Sequence, residues 1–202
     1  MIVLGLMLYV MSAGADAAPP ISVAVFAPED MTDSLVYRIC AEAEAIWGSA
    51  GIAFEWHRLR PSDHAPAWAL DVTIDNRRTN AASDNALGWL TFTSAGPDRS
   101  IHLSRACAED LLRGTPGLTN VTITVHETLV GRALGRALAH ELGHYLLRSK
   151  AHTPRGLMRA DWGAGAFFSF DWDRFEPTPE QRAAALRSAR AIGPRTQVAP
   201  HR

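Results

Sequence analysis

Residues 140–144 read His-Glu-Leu-Gly-His, and no other feature constrains the chain as tightly. Histidines four residues apart share one face of an α-helix, so both imidazoles can reach one metal ion only if the segment is helical. At 3.6 residues per turn, Glu141 lies about 100° from His140 and about 60° from His144 on the helical wheel. It flanks the pair without joining it, within reach of a proton on a metal-bound water. Two imidazoles, a third ligand and an open position describe catalytic zinc, which lowers the pKa of its water to about 7. With 8 His and 9 Glu in 202 residues, chance supplies about 0.014 matches to this spacing. The surrounding pattern agrees: Leu134, Leu138, Leu142, Tyr145 and Leu146 fall on the opposite face of the same helix, predicted over 130–149. The plainer reading of the same residues is a buried helix whose histidines are satisfied by their neighbours.

The third ligand must come from elsewhere. His152 is the leading choice, eight residues after His144 and just past the helix end, where Ser149, Lys150 and Thr153-Pro154 let the chain turn back. Asp161 is next. Asp171, Asp173, Glu176 and Glu180 compete from downstream, and His64, His102 and His126 from upstream.

Around this helix the pattern is α+β. Strands are predicted over 21–27, 52–58, 70–74, 87–93 and 100–104, from alternation and β-rich composition. Residues 94–98 form a turn between the last two, 61–68 a loop, and 76–85 a polar, turn-rich stretch. Helical spacing marks 32–50, with Leu35, Val36, Ile39, Cys40, Ala43, Ile46 and Trp47 on one face. A short helix fits 106–112, while 121–125 (VTITV) is ambiguous between strand and helix start. Thr178-Pro179-Glu180-Gln181 is a capping box opening a helix that should end near Gly193-Pro194. The result is a small mixed sheet with a backing helix, a long site helix and a C-terminal helical subdomain: one domain over 19–193, with a tail at 194–202.

Composition excludes some partners. The formal charge of −1 gives no electrostatic case for nucleic acid or a polybasic membrane contact. No apolar run reaches the length of a membrane span. Two cysteines cannot make a four-thiolate site; Cys40 and Cys107 read equally as one disulfide or as two separate buried thiols. Residues 2–11 (IVLGLMLYVM) are a ten-residue apolar run, followed by Ala15-Asp16-Ala17. This reads as a signal peptide over 1–18, directing the chain to the periplasm or outside the cell, although no Lys or Arg precedes the run.

Residues 130–162 (VGRALGRALAHELGHYLLRSKAHTPRGLMRADW) resemble the zincin metalloproteases, and within them the metzincins. That group carries H-E-x-x-H-x-x-G-x-x-H followed by a methionine in a tight turn beneath the zinc. His140, Glu141 and His144 match, and Met158 falls where the turn methionine would. Leu147 replaces the glycine, and Lys150 stands where the third histidine would, with His152 two residues later. The sequence is also similar to a group of bacterial exported proteins with HELGH, a histidine eight residues on and a G-L/I-M turn, a likeness reaching 175–181. The resemblance implies a zincin-like fold, a Zn²⁺ held by His140, His144 and His152, and a peptidase in which Glu141 is general base for attack on peptide or protein substrates. It also implies that the last strand edges the cleft and pairs with extended substrate. The departures favour an alternative, a non-catalytic zinc-binding scaffold or interaction domain with the fold retained. Ala160 leaves no tyrosine in the position some metzincins use. Arg136 either borders the cleft or is a surface or structural arginine, Tyr145 reads as core, and Trp162, Phe167, Phe168, Phe170 and Trp172 read as packing beneath the C-terminal helix.

Overall fold

A computed structural model describes residues 18–60, 62–76 and 86–196. Most of the expected signal segment, nearly all of the polar stretch at 76–85 and the end of the tail lie outside the described residues. Five strands, β1 (Ile21–Phe26), β2 (Phe54–Leu59), β3 (Leu70–Asp75), β4 (Gly88–Thr93) and β5 (Gly96–Ser104), form one sheet in the order β2-β1-β3-β5-β4. The first four in that order run parallel, with Val23 opposite Trp56 and Leu70, and Val72 opposite Ile101. Only β4 is antiparallel, paired to β5 through Gly88–Leu103 and Leu90–Ile101. The edge strands are therefore β2 and β4, and β5, the last strand in sequence and expected at the edge, lies inside the sheet. A tight hairpin between β4 and β5 forces this: it lays β4 back along the free side of β5.

Helix α1 (Asp33–Gly48) follows β1, its first turn capped by Thr32, whose hydroxyl accepts from the Leu35 amide at 3.1 Å. Its apolar face is the predicted one, Leu35 through Trp47. Helix α2 (Arg105–Arg113) leads from β5 towards α3 (Ile123–Leu147). The ambiguous stretch at 121–125 resolves as helix, because Thr122 caps the amide of Val125. Hydroxyl capping outweighs the β preference of the branched residues there. At the other end α3 stops short of the expected Ser149, because Arg148 takes a left-handed conformation (φ 50°, ψ 39°).

Helix α3 is the spine of the molecule. It packs along α1 and also meets β4, β5, α2, the short α4 (Ala164–Phe168) and α5 (Pro179–Thr196). The α1–α3 approach needs glycine: a Cβ on Gly135 would stand 2.8 Å from the Ile39 carbonyl oxygen and 2.5 Å from Glu42 Cβ. Trp47, fully buried, sends its indole N–H from α1 to the Ala139 carbonyl at 2.9 Å. That bond fixes α1 against α3 one residue before His140. The helix expected to end near Gly193-Pro194 continues to Thr196; a proline removes one backbone N–H bond without forbidding a final turn. Cys40 and Cys107 are buried thiols, not bridged to each other, and burial pushes the Cys40 thiol up to about 12. No helix among the described residues is long and apolar enough to cross a membrane.

Candidate metal centre

His140 and His144 project from one face of α3 with their ring centroids 4.7 Å apart. Each is anchored through its inner nitrogen. His140 Nδ1 lies 2.9 Å from the Leu157 carbonyl oxygen, and His144 Nδ1 lies 2.7 Å from that of Ser149. A carbonyl can only accept, so both Nδ1 atoms carry the proton and both Nε2 atoms keep a lone pair. This is the tautomer a metal requires. Burial, aided by the neighbouring imidazoles, holds His140 down to about 4, so it is neutral near pH 7. His144 is also held below the usual histidine range, chiefly by burial.

His152 completes the group from the loop after α3, its ring centroid 5.3 Å from that of His140 and 5.0 Å from that of His144. One ligand atom from each of the three lies within 4.8 Å of the other two. Several bonds deliver the exposed His152 to this point. The left-handed Arg148 ends the helix, and its guanidinium reaches the Ala95 carbonyl in the β4–β5 turn at 2.8 Å. The Thr153 amide donates to the Met158 carbonyl at 2.8 Å. Gln181, the glutamine of the predicted capping box, donates from Nε2 to Thr153 Oγ1 at 3.3 Å while its Oε1 accepts from the Thr178 amide.

Met158 is buried in a turn opened by Gly156 (φ 74°) and packs under the middle of the pentad. A Cβ on Gly143 would stand 2.3 Å from Met158 Sδ and 3.4 Å from the Trp47 ring. The glycine between Leu142 and His144 is thus the space that Met158 fills.

Glu141 is only 7 % exposed. Among the described residues, no hydrogen bond or ion pair reaches its carboxyl, and burial pushes it up to about 8. Its stem lies beneath β4, where a Cβ on Gly88 would come within 3.2 Å of Glu141 Cγ. Phe92 of β4 stands nearly perpendicular to the His144 ring at 6.4 Å.

The other candidate ligands stay outside this group. Glu176 pairs with Arg182, and its carbonyl accepts from the Leu157 amide. Glu180 takes the Thr178 hydroxyl, and Asp171 takes the Asp173 amide. His102 stacks on Trp89 at 4.9 Å. Asp161 is exposed, and it joins no metal-competent group among the described residues, nor do His64, His126 or Asp173. Arg136 neither borders the cleft nor meets the surface: it is 1 % exposed and tied to Glu42 and to the backbone of the segment after α4. Tyr145 is half-buried against the core. The aromatic stretch divides: Trp162, Phe167 and Phe168 pack inward, while Phe170 and Trp172, expected to pack as well, are exposed. Sequence reading missed the two carbonyls that orient the imidazoles, for which it carries no signal. It also missed the Gly143–Met158 contact, signalled only by a glycine in mid-helix.

No family model and no curated protein sequence matches the chain. Among solved structures, the molecule is similar to the crystal structure of archaemetzincin from Methanopyrus kandleri. The superposition covers 84 % of this chain and 95 % of that one, at TM-score 0.53 and 13 % identity. The fold is zincin-like. An identity this low carries architecture and leaves residue roles to geometry. Within the zincin-like frame, the three imidazoles are a group that could hold a metal ion.

Proposed function

We propose that the chain is an exported, metzincin-like zinc peptidase. The observation that carries this reading is the pairing of a three-imidazole donor set, with two inner nitrogens already bonded to carbonyls, with a buried glutamate beside it. Nitrogen donors in this number favour zinc over magnesium or calcium. When bound, zinc supplies Lewis acidity that turns water into a nucleophile near neutral pH and polarises a carbonyl.

The chain's own residues supply the rest. His140, His144 and His152 hold the ion. Glu141 accepts the proton of the attacking water and passes it to the leaving amine, and burial makes its carboxylate a stronger base than an exposed glutamate. Edge strand β4 offers backbone groups for an extended peptide laid antiparallel beside it. Export rests on residues 2–11 and the Ala15-Asp16-Ala17 sequence; N-terminal sequencing of protein recovered from the cell envelope or medium tests it.

The functional test combines metal content and turnover. Purified wild type is expected to hold about one zinc per chain. His152→Ala should lose it or bind it far more weakly. Glu141→Gln should keep zinc and lose roughly 10²–10⁴-fold in turnover of a peptide mixture. A zinc-loaded Glu141→Gln variant that cleaves as fast as wild type defeats the mechanism. The replacement of the helix-ending glycine by Leu147 favours a second reading, a zinc-holding scaffold without turnover. Full zinc occupancy with no cleavage of any peptide in the mixture selects that reading.

A further inference from the structure

The chain contains 19 arginines and a single lysine. That lysine is Lys150, two residues before His152 on the loop that carries it. Its ammonium sits over the Phe92 ring, 5.2 Å from the centroid, and Phe92 is the residue of edge strand β4 that stands against His144. Lys150 is exposed, and among the described residues no carboxylate pairs with it. Arg148, two residues earlier, is committed to the Ala95 carbonyl. Lys150 is therefore a positive charge whose partner is an aromatic ring, and that ring stands edge-on to His144 of the three-histidine group.

The residue type suits a ligand better than a structural tie. An arginine there would stack on the ring and present a fixed fork. A lysine is a compact charge on a flexible stem, with three donors that can swing. An exposed cation–π contact is weak and yields to a charge-assisted bond when an anion arrives.

We infer that Lys150 and Phe92 form a specificity subsite for a carboxylate next to the bond being cut, either an acidic side chain or the substrate's C-terminal carboxylate. This rests on the zinc-peptidase reading, and two measurements separate the failure of one from the failure of the other.

The first measures binding. A short dicarboxylic monohydroxamate, bearing one metal-chelating group and one free carboxylate, is titrated calorimetrically into the zinc-loaded full chain beside its carboxamide analogue. Wild type should bind the carboxylate form roughly 10-fold or more tightly. Lys150→Met should bind the two equally, and Lys150→Glu should reverse the order, at unchanged zinc content. Equal discrimination in wild type and Lys150→Met overturns the subsite. The second measures cleavage of peptides paired as Glu against Gln and as free against amidated C-terminus; the pair that shows the preference identifies the source of the carboxylate. Discrimination between probes without cleavage of any peptide leaves the subsite standing and ends the peptidase reading. Cleavage without any acidic preference does the reverse. Binding of neither probe by any variant overturns both.

Discussion

Glu141 costs the fold stability, and the cost has a signature. The residue is 7 % exposed and its carboxyl is, among the described residues, unpartnered; burial raises its pKa from 4.5 to about 8. Below the ordinary value both folded and unfolded chains carry the proton, and nothing is lost. Between about pH 4.5 and 8 the unfolded chain ionises while the folded one holds its proton, so stability falls across that window and levels above it. In metal-free protein the loss is on the order of a few kcal/mol. His140, held down to about 4 by burial, acts in the opposite direction as pH falls, so the informative quantity is a difference between variants. Glu141→Gln should be more stable than wild type at pH 8 in chelator, with the advantage shrinking towards pH 4.5. Chemical denaturation at several pH values reads this directly. Parallel curves for the two proteins would mean that the carboxyl is not desolvated. A residue whose removal stabilises the fold is retained for something other than folding.

At the scale of elements, α3 is shaped by what must fit under it. Gly143→Ala pushes a methyl into Met158 Sδ at 2.3 Å, in a place also walled by Trp47. The expected loss is about 1–3 kcal/mol by urea denaturation. In a Met158→Ala background the sulfur is gone and the loss should shrink by at least about 0.5 kcal/mol. Strict additivity of the two changes would remove Met158 as the reason for the glycine. Gly135→Ala meets backbone, the Ile39 carbonyl oxygen at 2.8 Å, so α1 must move and no side-chain truncation should rescue it. These contacts also mark where sequence stops being informative. His140, Glu141 and His144 were legible because their geometry is local, set by helical periodicity alone. The apolar face of α1 and the capping box at Thr178 were legible for the same reason. His152 was legible only as the nearest histidine past the helix end, since its placement depends on a left-handed Arg148 and a bond from Gln181 on a distant helix. Which strand lies at the edge depends on pairings between segments far apart in sequence, and the resemblance misplaced it.

For the whole molecule, the question is how the segment beneath the site is held to the rest. Arg136 does this from inside α3. Its Nε donates to Glu42 Oε1 of α1 at 2.8 Å, its terminal nitrogens reach the carbonyls of Ala166, Ser169 and Asp171, and its guanidinium lies 4.5 Å over the Phe175 ring. Burial pulls its pKa down and Glu42 opposes this, so the charge is retained by its partners. The next residue after Phe175 is Glu176, whose carbonyl takes the Leu157 amide, and the Leu157 carbonyl orients His140. Arg136→Met therefore leaves the half-buried Glu42 and a set of inward carbonyls without a donor, at a cost of about 1–3 kcal/mol. It should also weaken zinc retention about 10–100-fold in competition with a chelator, because the acceptor behind His140 loses its support. Arg132→Met is the control: its guanidinium reaches the Phe168 carbonyl and the exposed Phe170 ring, so it should cost less and leave zinc affinity alone. Saturating zinc at 100 times its dissociation constant adds about 2.7 kcal/mol to a protein that binds it only when folded. That increment should appear in wild type and Arg132→Met at one zinc concentration, and shrink in Arg136→Met. Equal increments in all three would mean that the segment after α4 and the histidine site are held independently.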